Sequence, residues 1–256
     1  MKTARLEDLL AEDVPGDSDS FARFGEHSWP SLGLTACLCR FSVARFDDKL
    51  FARHGVPFSP SLSRSVRKRR AEFLAGRLCA AQALTRLGAP GLVLTGPDRS
   101  PVWPVGMIGS ITHCDETAIA VAQNEENFCG VGIDLERRAA CRNAALDVRH
   151  FATDAERGVL AQAGIASEDH AVIAFSMKES FFKAAYPHVG RYFGFSAVSI
   201  VGADRSLRKV SLVVAQDLGV KLKQGLRVAG EYVALGDAFM STAVTIPVMA
   251  LRNDSL

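Results

Sequence analysis

Apolar side chains recur at helical spacing from Ser63 to Leu87 (Val66, Phe73, Leu74, Leu78, Ala81, Leu84), and Gly88 supplies the stop. Before that stretch, Leu34 to Val43 reads as a strand. After it, Gly96 to Pro101 has the Gly, Pro and Asp chemistry of a loop. Met107 to Thr112 and Thr117 to Gln123 form a hairpin across Cys114-Asp115-Glu116, and Gly130 to Glu136 makes a third strand. A second helix is predicted from a cap at Ser167, with Glu168 and Asp169 in its first turn, to about Tyr186, ahead of Pro187. Strands follow at Ala197–Val201, Leu207–Val214, Gly230–Leu235 and Thr242–Met249. Residues 1–30, rich in Asp, Ser and Gly, are expected to wrap the fold loosely. Each half thus has a helix and several strands in hairpin order. This predicts an α+β fold of two similar lobes, each a helix packed on a mostly antiparallel sheet. No internal sequence repeat accompanies that order.

A chain of 256 residues can bury the cores of two such lobes. Its net charge of +2 is too small for wholesale nucleic-acid binding, but the charges are segregated. Six bases and one acid lie between Arg64 and Arg77, whereas Glu125, Glu126, Asp134 and Glu136 form an acidic stretch. Separate positive and negative patches suit a polyanion and a metal. Met1 to Asp13 lacks the apolar run of a secretory signal. Tyr232 to Leu251, the longest apolar stretch, contains Asp237 and Pro247 and alternates like strands, so no membrane span is expected. Six cysteines without CxxC or zinc spacing read as reduced packing residues of a cytoplasmic protein.

Four short stretches carry candidate chemistry, each with an ordinary reading beside it. In Gly130-Val131-Gly132-Ile133-Asp134-Leu135-Glu136, strand alternation puts Gly132, Asp134 and Glu136 on one face. The two carboxylates then stand about 6.6 Å apart along the backbone, close enough to converge on one hard cation, and Gly132 leaves room for a ligand. A half-exposed strand with two solvated acids fits the same pattern. Glu179 and Lys183, four apart within Lys178-Glu179-Ser180-Phe181-Phe182-Lys183, share a helix face; alone they could be a surface pair. Thr112-His113 presents a hydroxyl and an imidazole at a strand end, where both reach a phosphate or merely satisfy the fold. Arg69 and Arg77, slightly more than two turns apart, lie roughly along one face and can grip phosphates, or can simply be solvated.

Taken together, the four resemble the two-lobed phosphopantetheinyl transferases of the enterobactin- and surfactin-synthetase type. The shared order runs Arg69 to Arg77, Pro101-Val102-Trp103-Pro104, Thr112-His113, Gly132-Ile133-Asp134-Leu135-Glu136, then Lys178 to Lys183. This resemblance implies a pseudo-two-fold α+β fold. Residues 1–136 would form a lobe with the arginine helix and the metal strand, and residues 137–256 a lobe with the Lys-Glu-x-x-x-Lys helix. It implies Mg2+, replaceable by Mn2+, on Asp134, Glu136 and Glu179, and catalysis by Glu179, Lys183 and Asp134. Coenzyme A would be held by Arg69, Arg77, Asp98, Arg99, Ser100, Pro101, Thr112, His113, Lys178 and Lys183. The acceptor would be a serine of an acyl or peptidyl carrier protein, and adenosine 3',5'-bisphosphate would be released. Two positions depart from the family pattern: Ser100 stands where many relatives carry Lys, leaving the charge to Arg99, and Phe175 replaces a frequent Trp. Carriers of this kind are acidic helical bundles, so Arg137, Arg138 and Arg142 would rim their docking surface.

Elementary chemistry agrees with that implication. Coenzyme A presents a pyrophosphate and a separate ribose phosphate, so its binder needs several cations. Magnesium takes carboxylate and phosphate oxygens. The carrier hydroxyl is a weak nucleophile, and Glu179, directly or through water, is the candidate base. Two other readings use the same residues. A different magnesium-dependent phosphoryl or nucleotidyl enzyme is disfavoured by the lack of a P-loop or Rossmann glycine pattern. A nucleic-acid module built on Arg64 to Arg77 is disfavoured by aromatic content of 8% and the lack of any recognition signature. Two lobes in one chain make a monomer sufficient.

Overall fold

The computed structural model describes residues 4–5, 21–139 and 151–248; Cys141 and Arg142 lie outside them. Strands β1 (Ala4–Arg5), β2 (Ala22–Trp29), β3 (Leu34–Phe41), β6 (Met107–Cys114) and β7 (Thr117–Asn124) form one sheet in the order β1-β2-β3-β7-β6. A second sheet runs β8-β12-β11-β10-β9, from β8 (Phe128–Arg137), β9 (Val198–Asp204), β10 (Lys209–Val214), β11 (Arg227–Leu235) and β12 (Phe239–Pro247). Its neighbours are all antiparallel. The short strands β4 (Leu94–Thr95) and β5 (Pro101–Val102) pair with each other. Two units result: Met1–Ser28 with Thr35–Gln123, and Trp29–Leu34 with Asn124–Leu256. The architecture is α+β with antiparallel sheets, as expected. The boundary differs from the expected 136/137, because β8 hydrogen-bonds β12 along its length and so belongs to the second unit.

In the first unit, helix α1 (Lys49–Arg53) and the one-turn helix α2 (Pro60–Ser63) precede α3 (Arg67–Arg86). The single helix expected from Ser63 is therefore broken. Ser59 caps α2 by accepting from the Leu62 N–H at 3.2 Å, and Val66 is extended, so the chain turns before α3 begins. Small buried residues of α3 (Ala71, Ala75, Cys79, Ala80) pack with Leu74 and Leu84 against Cys37, Cys39 and Phe41 of β3 and Ala118 and Ala120 of β7. Residues 22–29, assigned to a loose wrap, form β2 instead.

The second unit's helices are α4 (Asp154–Gln162) and α5 (Ser167–Val189). Helix α4 was not anticipated, although Thr153-Asp154-Ala155-Glu156 is a capping box: Thr153 Oγ1 accepts from the Glu156 N–H, and Glu156 accepts from the Thr153 N–H. Helix α5 runs past Pro187 to Gly190, whose left-handed backbone (φ 64°) closes it with an N–H donated to the Tyr186 carbonyl. Pro187 forgoes one helical bond and leaves less than a turn to disturb, so the helix survives it. Between β2 and β3, the 3-10 turn Pro30–Leu32 is part of the second unit. The Ser31 N–H donates to Glu231 of β11 at 2.7 Å, and the Leu32 N–H also reaches that carboxylate. Glu231 is fully buried, and desolvation raises its carboxyl above the usual range against the pull of these donors and Arg208.

The glycines of β8 set how closely α5 approaches. A Cβ on Gly132 would collide with the Ser180 carbonyl oxygen and lie 2.6 Å from the Ala184 nitrogen, and one on Gly130 would collide with the Ala184 carbonyl oxygen. The room expected for a ligand at Gly132 is thus occupied by the helix backbone. Gly132→Ala should destabilise the protein by about 3 kcal/mol or more, because the obstacle is backbone and cannot rotate away. Urea denaturation monitored by circular dichroism checks this; a loss below about 0.5 kcal/mol would contradict the close contact.

Candidate active site

The close approach of α5 to β8 brings Asp134 against helix side chains. Asp134 is buried; its Oδ1 accepts from Lys183 Nζ at 2.6 Å and its Oδ2 from Ser176 Oγ at 2.9 Å. Lys183 also donates to the Ile133 carbonyl at 3.0 Å. Behind Ser176 the buried hydroxyls continue: Ser176 to Thr242 Oγ1 at 2.8 Å, and Ser180 to the same oxygen at 2.8 Å. Thr242 is Asp134's own partner across β8 and β12, so strand register and helix face fix the same carboxylate. Each oxygen of Asp134 is held by a donor, which sets its orientation before any ligand arrives.

Glu179, one turn before Lys183, is half-buried. Desolvation raises its carboxyl above the ordinary range; the Lys183 charge opposes this and the nearby Asp134 charge adds to it. Two carboxylates that repel one another beside a single lysine fit a hard cation, which would relieve both. Glu136, two residues beyond Asp134 on β8 and opposite Met240, is partly exposed. Among the described residues no three His, Cys, Asp or Glu side chains gather into a ready metal cage. Asp134 and Glu179 are the two carboxylates that could hold such an ion. Magnesium commonly takes one or two carboxylates and completes its octahedron with water and substrate phosphate.

Lys178 has a different occupation from its neighbour Lys183. It is buried, and its ammonium lies 2.8 Å and 3.0 Å from the two oxygens of Glu156, which also accepts from the Ile200 N–H at 3.0 Å and from Thr153. Burial pulls the Glu156 carboxyl upward, but Lys178 and the two backbone donors outweigh it and leave it below the usual range. The pair ties α4, α5 and β9 together. Arg138, assigned to the carrier rim, is likewise engaged in the fold, in a bidentate pair with Asp169 at 2.8 Å and 2.6 Å. Arg137 is exposed.

In the first unit the predicted phosphate ligands come together on α3 and β6. Arg69 donates to His113 Nε2 at 2.7 Å. Thr112, the preceding residue, is buried. Arg77 is buried as well; it stacks over Phe73 at 4.7 Å and donates to the Leu94 carbonyl and Thr95 hydroxyl at 3.2 Å and 3.0 Å. Its Nε is buried without a partner. Burial, helped by Arg69, pulls its guanidinium down to about 10, so an anion placed there would be strongly favoured. The β4–β5 ribbon that Arg77 grips carries the remaining candidates. Ser100 donates from its hydroxyl and N–H to Asp98 at 2.7 Å and 3.1 Å, and Arg99 adopts a left-handed backbone (φ 68°) that leaves its side chain exposed. Pro101 starts β5.

One residue of this cluster was missed by the sequence reading. Glu72 is buried beneath Arg69 and His113, one turn along α3, where the i, i+3 spacing from Arg69 would have pointed to it.

Known proteins are similar to this chain over more than half of its length. The model of the 4'-phosphopantetheinyl transferase N-terminal domain matches residues 59–123, and that of the 4'-phosphopantetheinyl transferase superfamily matches residues 130–232. Enterobactin synthase component D of Escherichia coli (strain K12) is 37% identical over 160 residues, covering 62% of this chain and 74% of that protein. The 4'-phosphopantetheinyl transferase PptT of Mycobacterium tuberculosis is 38% identical over 143 residues, 56% of this chain and 62% of that protein. The 4'-phosphopantetheinyl transferase Npt of Nocardia iowensis is 33% identical over 144 residues, 54% and 62%. The chain belongs to the 4'-phosphopantetheinyl transferase superfamily, and within it to the enterobactin-synthase type. It transfers the phosphopantetheine arm of coenzyme A to a serine of a carrier protein.

The Lys178–Glu156 pair separates structure from chemistry. Lys178→Met should cost roughly 3–5 kcal/mol by stranding a buried carboxylate. The doubly substituted protein, Lys178→Met with Glu156→Leu, should recover much of that stability and bind coenzyme A normally. Denaturation and calorimetric titration of both variants check this; a stable double variant that fails to bind coenzyme A would return Lys178 to the binding site.

Proposed function

We propose that the transferase is magnesium-dependent, with separate contributions from residues of its two units. In the first, Arg69, Arg77, Thr112 and His113, with the Asp98–Pro101 turn, hold the phosphates of coenzyme A. In the second, Asp134 and Glu179 hold the metal, and Glu136 contributes directly or through water. The bound cation would neutralise the pyrophosphate and stabilise the departing nucleotide. The observation that carries the reading is the Asp134–Lys183–Glu179 arrangement: one carboxylate fixed by donors, one raised by burial and repulsion, and a lysine beside both.

The raised carboxyl of Glu179 suits it to accept the proton of the carrier serine, directly or through a water, as that hydroxyl attacks the phosphorus bearing the pantetheine arm. Lys183 donates to Asp134 and can follow the phosphate charge. Lys178 is withdrawn from the coenzyme contacts by its pair with Glu156. The acceptor is an acyl or peptidyl carrier protein of fatty-acid, polyketide or peptide synthesis; similarity to enterobactin synthase component D favours peptide carriers. Free thiols at Cys37, Cys39, Cys79, Cys114 and Cys129 support a reducing, cytoplasmic location. Both halves of the chemistry in one chain support action as a monomer.

Two sets of measurements test this. Asp134→Ala should nearly abolish transfer, Glu136→Ala should be milder because water can replace its oxygen, and Glu179→Gln should not be rescued by added magnesium. Chelation should stop the wild type, and magnesium or manganese should restart it. The assay is mass spectrometry of a carrier protein incubated with coenzyme A; full turnover in excess chelator, or by folded Asp134→Ala, would sink the mechanism. Separately, coenzyme A lacking its ribose phosphate should bind much more weakly, since charge-assisted hydrogen bonds are roughly twice as strong as neutral ones. Equal affinity in calorimetric titration would refute the assignment of Arg69, Arg77 and His113.

A further inference from the structure

The donor chemistry around His113 fixes where its proton sits. A guanidinium has only donors, so His113 Nε2, 2.7 Å from Arg69, must be the acceptor. The ring is then neutral with its proton on Nδ1. That nitrogen faces Glu72, whose Oε2 is 3.7 Å away. The same carboxylate lies 3.9 Å from Arg69 and 3.8 Å from Lys68, both on α3, while Asp115 in the β6–β7 turn adds negative charge from the other side. Glu72 is thus a buried acid shared among three basic side chains, two of which the proposed function gives to phosphate.

A phosphate dianion arriving here has no donor to accept from on a neutral Nε2. Arg69 can offer its other N–H groups to the phosphate, but wherever Nε2 itself is to touch a phosphate oxygen its lone pair would face an anion. The conflict disappears if Nε2 takes up a proton from solvent and donates to the phosphate. The new imidazolium then lies between two anions, the phosphate and Glu72. We propose that Glu72 is a positioning residue of the phosphate clamp, holding His113 as its Nδ1–H tautomer in the free protein and acting as counter-ion to the imidazolium formed when coenzyme A binds. One N–H bond forms at Nε2, its proton comes from water or buffer, and nothing is oxidised or reduced. The inference rests on the phosphate assignment made above. Desolvation raises the Glu72 carboxyl in the free protein against Lys68 and Arg69, in keeping with an acid whose full counter-charge arrives only with the ligand.

Proton uptake on binding has a definite sign: affinity falls as pH rises, by up to about tenfold per pH unit for one whole proton. Calorimetric titration of coenzyme A between pH 7 and 9, above the second phosphate ionisation at about 6, isolates the protein's contribution. Two buffers of different ionisation enthalpy give the proton count. The wild type should take up most of one proton near pH 7.5. Glu72→Gln, which keeps shape and removes charge, should take up less than half as much and show a flatter pH dependence. Wild-type uptake in Glu72→Gln would overturn the role of Glu72, while Arg69→Ala and His113→Ala still weakened toward coenzyme A would leave the phosphate assignment standing. Unchanged affinity in those two variants would instead remove the assignment itself. Histidine 15N spectra of the wild type test the point without any variant. His113 should be protonated on Nδ1 alone when free and on both nitrogens with coenzyme A. An Nε2–H tautomer in the free protein, or a neutral ring in the complex, would overturn the proposal.

Discussion

Helix α5 lies so close to β8 that no side chain fits between them at Gly130 and Gly132, and the second unit's chemistry depends on that contact. Backbone against backbone leaves little freedom to slide or rotate. Asp134, the next residue on the same strand face, therefore meets Ser176 and Lys183 at fixed positions. The hydroxyls of Ser176, Thr242 and Ser180 fill the buried space behind it, each satisfied by another. A carboxylate fixed this way has its orientation set by the fold, and such preorganisation is where much catalytic electrostatics originates.

The two units handle buried charge in complementary ways. On α3 and β6, Lys68, Arg69 and His113 surround one acid, Glu72; on β8 and α5, Asp134 and Glu179 share one lysine, Lys183. The Glu156–Lys178 pair is different. It is closed, with the acid saturated by Thr153, Ile200 and Lys178, and it contributes cohesion without reactivity. Buried pairs of this kind are costly to break and unhelpful to open. The two lysines of one motif, Lys178 and Lys183, thus have different partners.

Much of this was legible beforehand because it rests on local periodicity and on residue types with few other uses. The alternation of β8 correctly put Gly132 and Asp134 on one face, and the spacing of α5 put Glu179 and Lys183 together. What the alternation could not say is what covers that face: a glycine reads equally as space for a ligand or space for a helix, and only the packing of α5 decides. The lobe boundary was misplaced because strand pairing is non-local; nothing near residue 137 reveals that β8 pairs with residues 239–247. Helix α4 was a different kind of omission, since its Thr153–Glu156 capping box stands in the sequence. Lys178 and Arg138 were read as available cations because their acids, Glu156 and Asp169, are 22 and 31 residues away.

The turn at Ser31 belongs, by its contacts, to the second unit. Six residues from the middle of the first unit's sequence are counted with the second, and their N–H groups supply donors for the fully buried Glu231. A polypeptide beginning at residue 124 would contain every strand of the second sheet and still fold around a carboxylate stripped of those donors. For such a polypeptide that position would have to be satisfied differently, by another residue at 231 or by a separate segment providing the turn.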